Sequence, residues 1–521
     1  MITNRKYYFM PPNLSIDHLN YSLVGCNKPI AKVTHYVAIL YTVLCQDLIR
    51  LKLANNPDGY TQIHSLKLES IFGNRYKLVI DLLINAELLE VNQVSPEGVF
   101  KEYGFYSKTA KTAKSYRIPK RLLSNDKLFV KKHIESVDKK TSKVVYTKIG
   151  ALNRINYKNS VIDEYRQLVI DNMDKLMLVD DAVTREIIKN DCERRGDIYS
   201  EALASAIIDR FNYSPVLEPT VCLFAGRLHG LITTIIKNLR KRVRFDGEPE
   251  EELAELDIVS SQPWFLSIVN AYLIKRFVPE CHEAISFFQQ VEYEDDVIKF
   301  RQLCADEKHN TADRYGIYEY LADAYNKRYN ASFTRDQAKR ICYRAFFSDY
   351  EKKEKLSLAK CERSVVRHQK ELTRIKNKCE TLLVNGQQCE SNNAVEAVAV
   401  AEQKLKRVET RLFTQQCFEM FKTEFPNLYK LFRNIKQLKW DFPRGADKSK
   451  KIKYYANNAL LAQRLEANVV YGVVIKALKA NGITQVVTIH DSFMVLRREE
   501  QEAKKIILKA FADLGLKPIF K

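Results

Sequence analysis

Apolar and polar positions along the chain alternate between two periods, and the change of period marks its elements. A Pro/Asn-rich stretch, 1–30, reads as an arm or linker. Val37, Ile39, Leu40, Val43, Leu44, Leu48 and Ile49 then recur at helical spacing and predict a helix over 33–53. A shorter helix is expected at about 65–72, closed by Gly73-Asn74, and a third from Arg75 to Ala86. Leu88-Leu89-Glu90-Val91 reads as a strand, Ser95-Pro96-Glu97-Gly98 as a turn, Val99–Phe105 as its return, and Ser115–Ile118 as a third strand. Three helices followed by a hairpin is the order of a winged helix, which makes 31–122 a winged-helix-like DNA-binding domain. Its recognition helix would start at Arg75, Tyr76 and Lys77, with Lys108, Lys111 and Lys114 after the wing, where cations suit phosphate contacts. Winged helices also serve protein contacts, so the pattern leaves that use open.

Residues 123–219 read as a basic linker and a helical, thumb-like support, with Val161, Tyr165, Leu168, Val169, Met173 and Leu176 on one face. Leu253–Val259 has the spacing of a core strand, stopped by Ser260-Ser261-Gln262-Pro263; Pro263 fits the first turn of an apolar helix. Helices are expected at 317–326 and from Arg335 to Phe347, the second with Thr334 as cap. Over 351–416, Leu358, Val365, Leu372 and Cys379 fall seven apart, as do Cys361, His368, Ile375 and Leu382. Val398, Ala401, Leu405, Val408 and Leu412 continue the pattern after a polar bend at 385–393, predicting an inserted antiparallel coiled-coil hairpin with His368 as packing. A long helix is expected at about 456–480, and a helix over 499–513 closes the chain. Between these two, Val486–Leu496 reads as a tight hairpin of buried strands with His490-Asp491-Ser492 at its bend.

Charge adds a partner. Lys+Arg of 84 against Asp+Glu of 64 leaves +20, which favours a polyanion. No apolar run approaches the roughly 20 residues of a spanning helix, so a membrane partner is not expected. The 11 cysteines stand singly without a C-x-x-C pair, so neither a zinc knuckle nor a disulfide framework is indicated; with no signal-peptide pattern, an intracellular location is expected.

Candidate chemistry centres on two carboxylates. Asp257 falls near the end of a strand and Asp491 on a hairpin tip, where burial makes an acid costly unless a cation or its own Asx turn holds it. Arg335, Lys339, Tyr343 and Phe347 are spaced four apart along one helix stripe. Such a stripe suits a triphosphate with a base stacked above it, or is a solvated basic face with an aromatic core edge. Two acids with clamping cations are what metal-assisted phosphoryl transfer needs.

In this order the residues resemble the core shared by family A DNA polymerases and single-subunit, phage-type RNA polymerases, most closely the transposon-and-virus branch. Gly226-Arg227-Leu228 followed by Asp257, Ser260 and Gln262 resembles the approach to motif A and motif A itself. Arg335-xxx-Lys339-xxx-Tyr343-xxx-Phe347 resembles motif B; Arg464-xxx-Asn468 and His490-Asp491-Ser492-Phe493 resemble the approach to motif C and motif C. The resemblance covers about 220–521 and implies an α+β fold with a right-hand core of palm, fingers and thumb-like support, carrying the hairpin of 351–416 in its fingers. It implies Mg²⁺ (two ions, with Mn²⁺ as a substitute) held by Asp257 and Asp491, with the Ile258 carbonyl as an extra ligand. It assigns the incoming nucleotide to Arg335, Lys339, Tyr343, Phe347, Gln262 and Tyr318, with Lys339 catalytic. Arg227, Arg464, Asn468 and His490 would contact the DNA template–primer, and a helicase or other replication protein would engage the coiled-coil hairpin.

Three departures bear on the substrate. Family A enzymes usually continue from the motif A Asp to Ser-Gln-Ile-Glu; here the run is Ile258-Val259-Ser260-Ser261-Gln262-Pro263, without that Glu. Motif C ends Asp491-Ser492-Phe493, as in the RNA polymerases, yet Phe347 stands where those carry Tyr. The expectation is a DNA-directed DNA polymerase of a virus or mobile element, using dNTPs with relaxed sugar selection and without a proofreading exonuclease. An RNA polymerase or primase is the alternative, and a non-catalytic replication initiator a further one.

Overall fold

Tyr8, Phe9 and Met10, expected in a loose arm, are buried. The run Tyr7–Met10 is strand β1, paired antiparallel with β5 (Val130–His133) in the register Tyr7↔His133 to Met10↔Val130. The run is too short and too uniformly apolar to show an alternation, and what fixes it is its partner: Phe129, next to β5, stacks on Phe9 at 4.3 Å. The computed structural model describes residues 7–25, 30–54, 56, 59–93, 113–133, 162–214, 219–222, 224–305, 315–384, 388–440 and 454–520, with 30–32, 220, 382–384 and 388–396 by backbone only. The expected turn at 95–98, the strand over Val99–Phe105, Lys108, Lys111 and Val161 lie outside them. The fold is α+β, mostly helical with small antiparallel sheets. Among the described residues no helix is long and apolar enough to cross a membrane, and no disulfide is formed.

The chain forms two compact units. Unit 1 holds Met1–Leu223, Leu228–Glu255 and Lys479–Ala503; unit 2 holds Phe224–Arg227, Leu256–Leu478 and Lys504–Lys521. In unit 1, α1 (Ile16–Ser22) is capped by Ser15, which accepts from the His18 N–H, and α2 (Ile30–Leu53) buries the predicted stripe. Thr42 ties β1 to α2: its hydroxyl accepts from the Phe9 N–H at 3.0 Å and donates to the Ala38 carbonyl at 2.7 Å. After α2 come β2 (Thr61–Gln62), α3 (Ser65–Phe72), α4 (Tyr76–Asn85), β3 (Glu90–Val91) and β4 (Ser115–Arg117). The three strands form one sheet in the order β2-β4-β3 around buried Tyr116, and the Tyr41 hydroxyl donates to Leu88 at 2.6 Å. Gly73 ends α3 at φ +76°, a conformation that favours glycine. Strand β2, too short for an alternation signal, was not anticipated.

His35 on α2 is 6% exposed, with its Nε2 3.0 Å from the Tyr8 hydroxyl. Burial pushes its imidazole down from 6.5 to about 4. In the unfolded chain the ring takes up its proton near 6.5, so the folded state loses stability as pH falls from about 6.5 to about 4. The loss reaches about 3 kcal/mol. Denaturant midpoints at pH 7 and pH 4.5 check this: the gap should narrow in His35→Phe, and an equal gap in both proteins contradicts it.

Unit 1 continues with α5 (Glu164–Met173), β6 (Leu176–Leu178), α6 (Ala182–Arg195) and α7 (Glu201–Tyr213). Leu176 therefore starts a strand instead of extending the helix. It pairs with Phe245 of β9 (Val243–Phe245) and leaves the helix face to Val169 and Met173. A two-stranded sheet joins β7 (Thr220–Val221) to β8 (Leu228–His229). The last sheet has the order β10-β12-β11, from β10 (Leu253–Asp257), β11 (Val487–Ile489) and β12 (Ser492–Leu496).

In unit 2, α8 (Ser261–Ser267) follows β10, then α9 (Ile317–Tyr329), α10 (Arg335–Phe347), α11 (Leu358–Val384), α12 (Gln388–Glu424), α13 (Pro426–Gln437) and α14 (Asn457–Val469). Helices α11 and α12 are the expected antiparallel hairpin; the second arm starts at Gln388, inside the expected bend, and runs past 416 to Glu424. Cys361, Val365, Cys379 and Ala401 are buried on the seam, and Lys376 pairs with Glu402 across it at 2.7 Å. His368 keeps to packing, its Nδ1 2.7 Å from the Ser364 carbonyl on its own helix. The helix expected over 456–480 is interrupted: after α14 the chain widens into a π-helical turn over Val470–Ile475 before Lys476–Ala480. Periodicity alone does not distinguish the two helix types, and π turns concentrate at functional sites.

Candidate functional site

Unit 1 carries the Asp491 hairpin. Val487↔Met494, Thr488↔Phe493 and Ile489↔Ser492 are paired, which leaves His490-Asp491 as a two-residue bend between wholly buried strands. His490 takes φ +59°. Positive φ is uncommon outside glycine, and four non-glycine residues among those described adopt it. Two of them, Glu87 and Asn330, end helices; Ser260 and His490 instead flank the two predicted acids in sequence. The His490 ring meets that of His229, on β8, edge to face at 5.2 Å.

The hairpin is braced from three directions within its unit. Asn172 at the end of α5 donates to the Thr484 and Val486 carbonyls at 2.6 and 2.9 Å, fixing the entry to β11. The Arg497 N–H donates to the Glu252 carbonyl at 2.7 Å, joining the far end of β12 to β10. At the tip, the Ser492 hydroxyl, 2% exposed, donates to the Glu255 carboxylate at 3.1 Å, which Arg240 approaches at 3.5 Å. Glu255 and Asp257 are two apart on β10 and so point to the same face of the strand. Glu255 was missed; a second acid at i−2 on the strand was its signal.

Unit 2 contains Asp257 and the residues expected on the nucleotide. Asp257 is half-buried at the end of β10. Ile258 is buried in a bridge to Phe520, and the Val259 N–H donates to the Ile519 carbonyl at 2.9 Å, which ends the strand earlier than Val259. Ser260, at φ +52°, begins α8. The expected stripe on α10 forms: Lys339 and Tyr343 are exposed, and the Tyr343 and Phe347 rings lie 5.8 Å apart. Lys339 has no ion pair among the described residues. Arg335 does, with Glu319 of α9 at 2.5 Å, and its guanidinium lies 5.6 Å from the Tyr318 ring centre. Tyr318 is 6% exposed; burial holds its phenol far above the usual range, and the hydroxyl bonds Ser260. Lys436 anchors the end of α10, donating to the Ser348 and Tyr455 carbonyls at 3.1 and 2.9 Å beneath the Tyr350 ring.

Of the residues expected on the template–primer, Arg227 meets an acid that the sequence reading passed over, while Arg464 and Asn468 bond elsewhere in the same unit. Glu466 is fully buried, takes both arms of the Arg227 guanidinium at 2.7 and 2.6 Å, and accepts from the Gln262 amide at 3.2 Å. Arg464 donates to the Phe224 carbonyl at 2.9 Å and pairs with Glu280 at 2.6 Å; Asn468 donates to the Phe277 carbonyl at 2.6 Å. Glu466 is the one acid on α14, whose only other charged residue is Arg464, and that isolation was the available signal. Arg75 and Lys77, by contrast, are exposed at the start of α4, with Tyr76 half-buried.

Among the described residues no three His, Cys, Asp or Glu side chains form a metal-ligating cluster. The candidate ligands are all hard oxygen donors, the kind Mg²⁺ and Mn²⁺ take. No known family model matches the chain, and no curated protein is significantly similar to it.

Proposed function

We propose that the chain is a template-dependent nucleotidyltransferase of right-hand polymerase architecture, a DNA-directed DNA polymerase of a virus or mobile element. The observation that carries the reading is Asp491 on a two-residue tip between buried strands, behind a left-handed His490. Two-residue hairpins place a positive φ at their first turn residue, so His490 sets the bend, and a carboxylate beside it between buried strands is what a cation would offset. Asp257 and Asp491, with the Ile258 carbonyl, would hold Mg²⁺. When bound, the metal lowers the pKa of the attacking primer 3′-hydroxyl and screens the phosphates. Lys339, exposed on α10, would offset the triphosphate charge, and Tyr343 and Phe347 would support base and sugar. Arg335 and Tyr318 would add phosphate contacts after Arg335 leaves Glu319. Arg227, Arg464, Asn468 and His490 remain the proposed template–primer contacts.

The order α2-β2-α3-α4-β3-β4, with the sheet order β2-β4-β3, supports a winged helix. Exposed Arg75 and Lys77 support its use on DNA.

Ser492 favours a second reading, RNA synthesis, because it stands where the DNA enzymes of the resembled family carry Glu. Primer extension with dNTPs and NTPs side by side separates the two. The expected result is primer-dependent dNTP incorporation, with NTPs disfavoured on the order of 100-fold or less, since an apolar pocket rejects an added hydroxyl only weakly. Strict NTP use, or synthesis without a primer, replaces this reading with the second; no incorporation of either removes both.

A further inference from the structure

The outer face of the coiled-coil hairpin's first arm carries cations in a register of its own. With Leu358, Cys361, Val365, His368, Leu372, Ile375 and Cys379 as the seam of α11, the solvent-facing positions two residues on are Lys360, Arg363, Arg367, Lys370 and Arg374. All five are exposed, and none is ion-paired among the described residues. Their spacing of 3, 4, 3 and 4 puts them on one stripe spanning about 21 Å of helix axis. The acids of the same arm, Glu362, Glu371 and Glu380, fall off this stripe.

A solubilising face on a coiled coil mixes signs or is neutral; at the positions two residues on from its own seam the second arm carries Val400, Gln403, Arg407, Thr410 and Thr414, with a single cation. Five like charges in line repel one another and are retained where a polyanion matches them. A rigid row of evenly spaced cations fits the sugar–phosphate backbone of a duplex, which offers charge at close, regular intervals. Single strands are held instead by aromatic platforms between the cations, and α11 contains no Phe, Tyr or Trp. Its apolar stripe is already covered by α12, so it has no free apolar face to lay on a bilayer.

We infer that the exposed Lys360–Arg374 stripe of α11 is a sequence-independent binding surface for duplex DNA. This depends on charge and geometry alone and stands whether or not the protein synthesises nucleic acid.

The test compares full-length wild type with a variant carrying Lys360→Gln, Arg363→Gln, Arg367→Gln, Lys370→Gln and Arg374→Gln. Fluorescence anisotropy is recorded on a 40-base-pair duplex and a 40-nucleotide oligo(dT) over a salt series. The slope of log K against log salt on duplex should fall by about 4, and affinity at 100 mM salt by at least about tenfold, since each phosphate contact contributes roughly 0.9 to the slope. Oligo(dT) binding should change by less than about twofold. An unchanged duplex slope overturns the inference, and an equal loss on oligo(dT) overturns the assignment to duplex. If the fivefold variant fails to fold by circular dichroism, Arg367→Glu with Lys370→Glu replaces it, and its duplex slope must still fall by about 2.

Discussion

Asp491→Asn should lower templated nucleotide incorporation by at least about 1,000-fold while duplex binding and thermal stability stay within a few per cent of wild type. The substitution is chosen because Asn supports an Asx turn as well as Asp does. If Asp491 serves only its bend, the hairpin of β11 and β12, braced by Asn172 and the Ser492–Glu255 hydrogen bond, keeps its shape and activity survives. If Asp491 holds a cation, the neutral amide removes a charged oxygen ligand and synthesis stops with the fold intact. Single-turnover primer extension over a Mg²⁺ series, with anisotropy on the same duplex, separates the outcomes. Retained synthesis would sink the polymerase reading. Lost synthesis with lost binding would place Asp491 in the structure, not the chemistry.

How far the sequence reached follows from what kind of signal each part emits. Elements with long, strict periodicity were legible: the helix over Arg335–Phe347, the paired arms of the coiled coil, and the hairpin of β11 and β12 all stand close to where apolar spacing puts them. Short elements held by partners distant in sequence were not. Strand β2 has two residues, and β1 is stabilised by β5 more than a hundred positions away, so neither announces itself locally. The π turn at Val470–Ile475 has the same apolar content as an α-helix and differs only in which carbonyl each N–H reaches.

For the candidate site the division is similar. Asp257, Asp491 and Lys339 could be singled out because an acid at a strand end, or a cation on an aromatic stripe, is conspicuous against its neighbours. What holds those neighbours could not. Glu255, Glu319 and Glu466 act through partners at 492, 335 and 227, and no local spacing connects them. The outcome changes the view of the cations too. Of the four residues expected on the template–primer, Arg227, Arg464 and Asn468 make internal hydrogen bonds. Engaging DNA then requires exchanging those partners.

Arg227 and Glu466 show how stability and DNA contact can be told apart. The Arg227 side chain is 13% exposed and Glu466 wholly buried, so removing one partner strands a charge in the interior. Glu466→Ala should destabilise unit 2 by about 3–5 kcal/mol, read as a lowered denaturant midpoint, because Arg227 then keeps only partial solvation and the Gln262 amide loses its acceptor. Replacing both partners with apolar residues of similar volume, Arg227→Met with Glu466→Leu, should recover most of that stability, since a buried pair's attraction barely exceeds its desolvation cost. Synthesis should not recover with it. The guanidinium proposed to meet the primer terminus is absent from the double variant, and on that proposal its loss should appear as a raised KM for template–primer together with reduced kcat. Full activity in the stable double variant would show that Arg227 serves the fold alone and remove it from the proposed template–primer contacts.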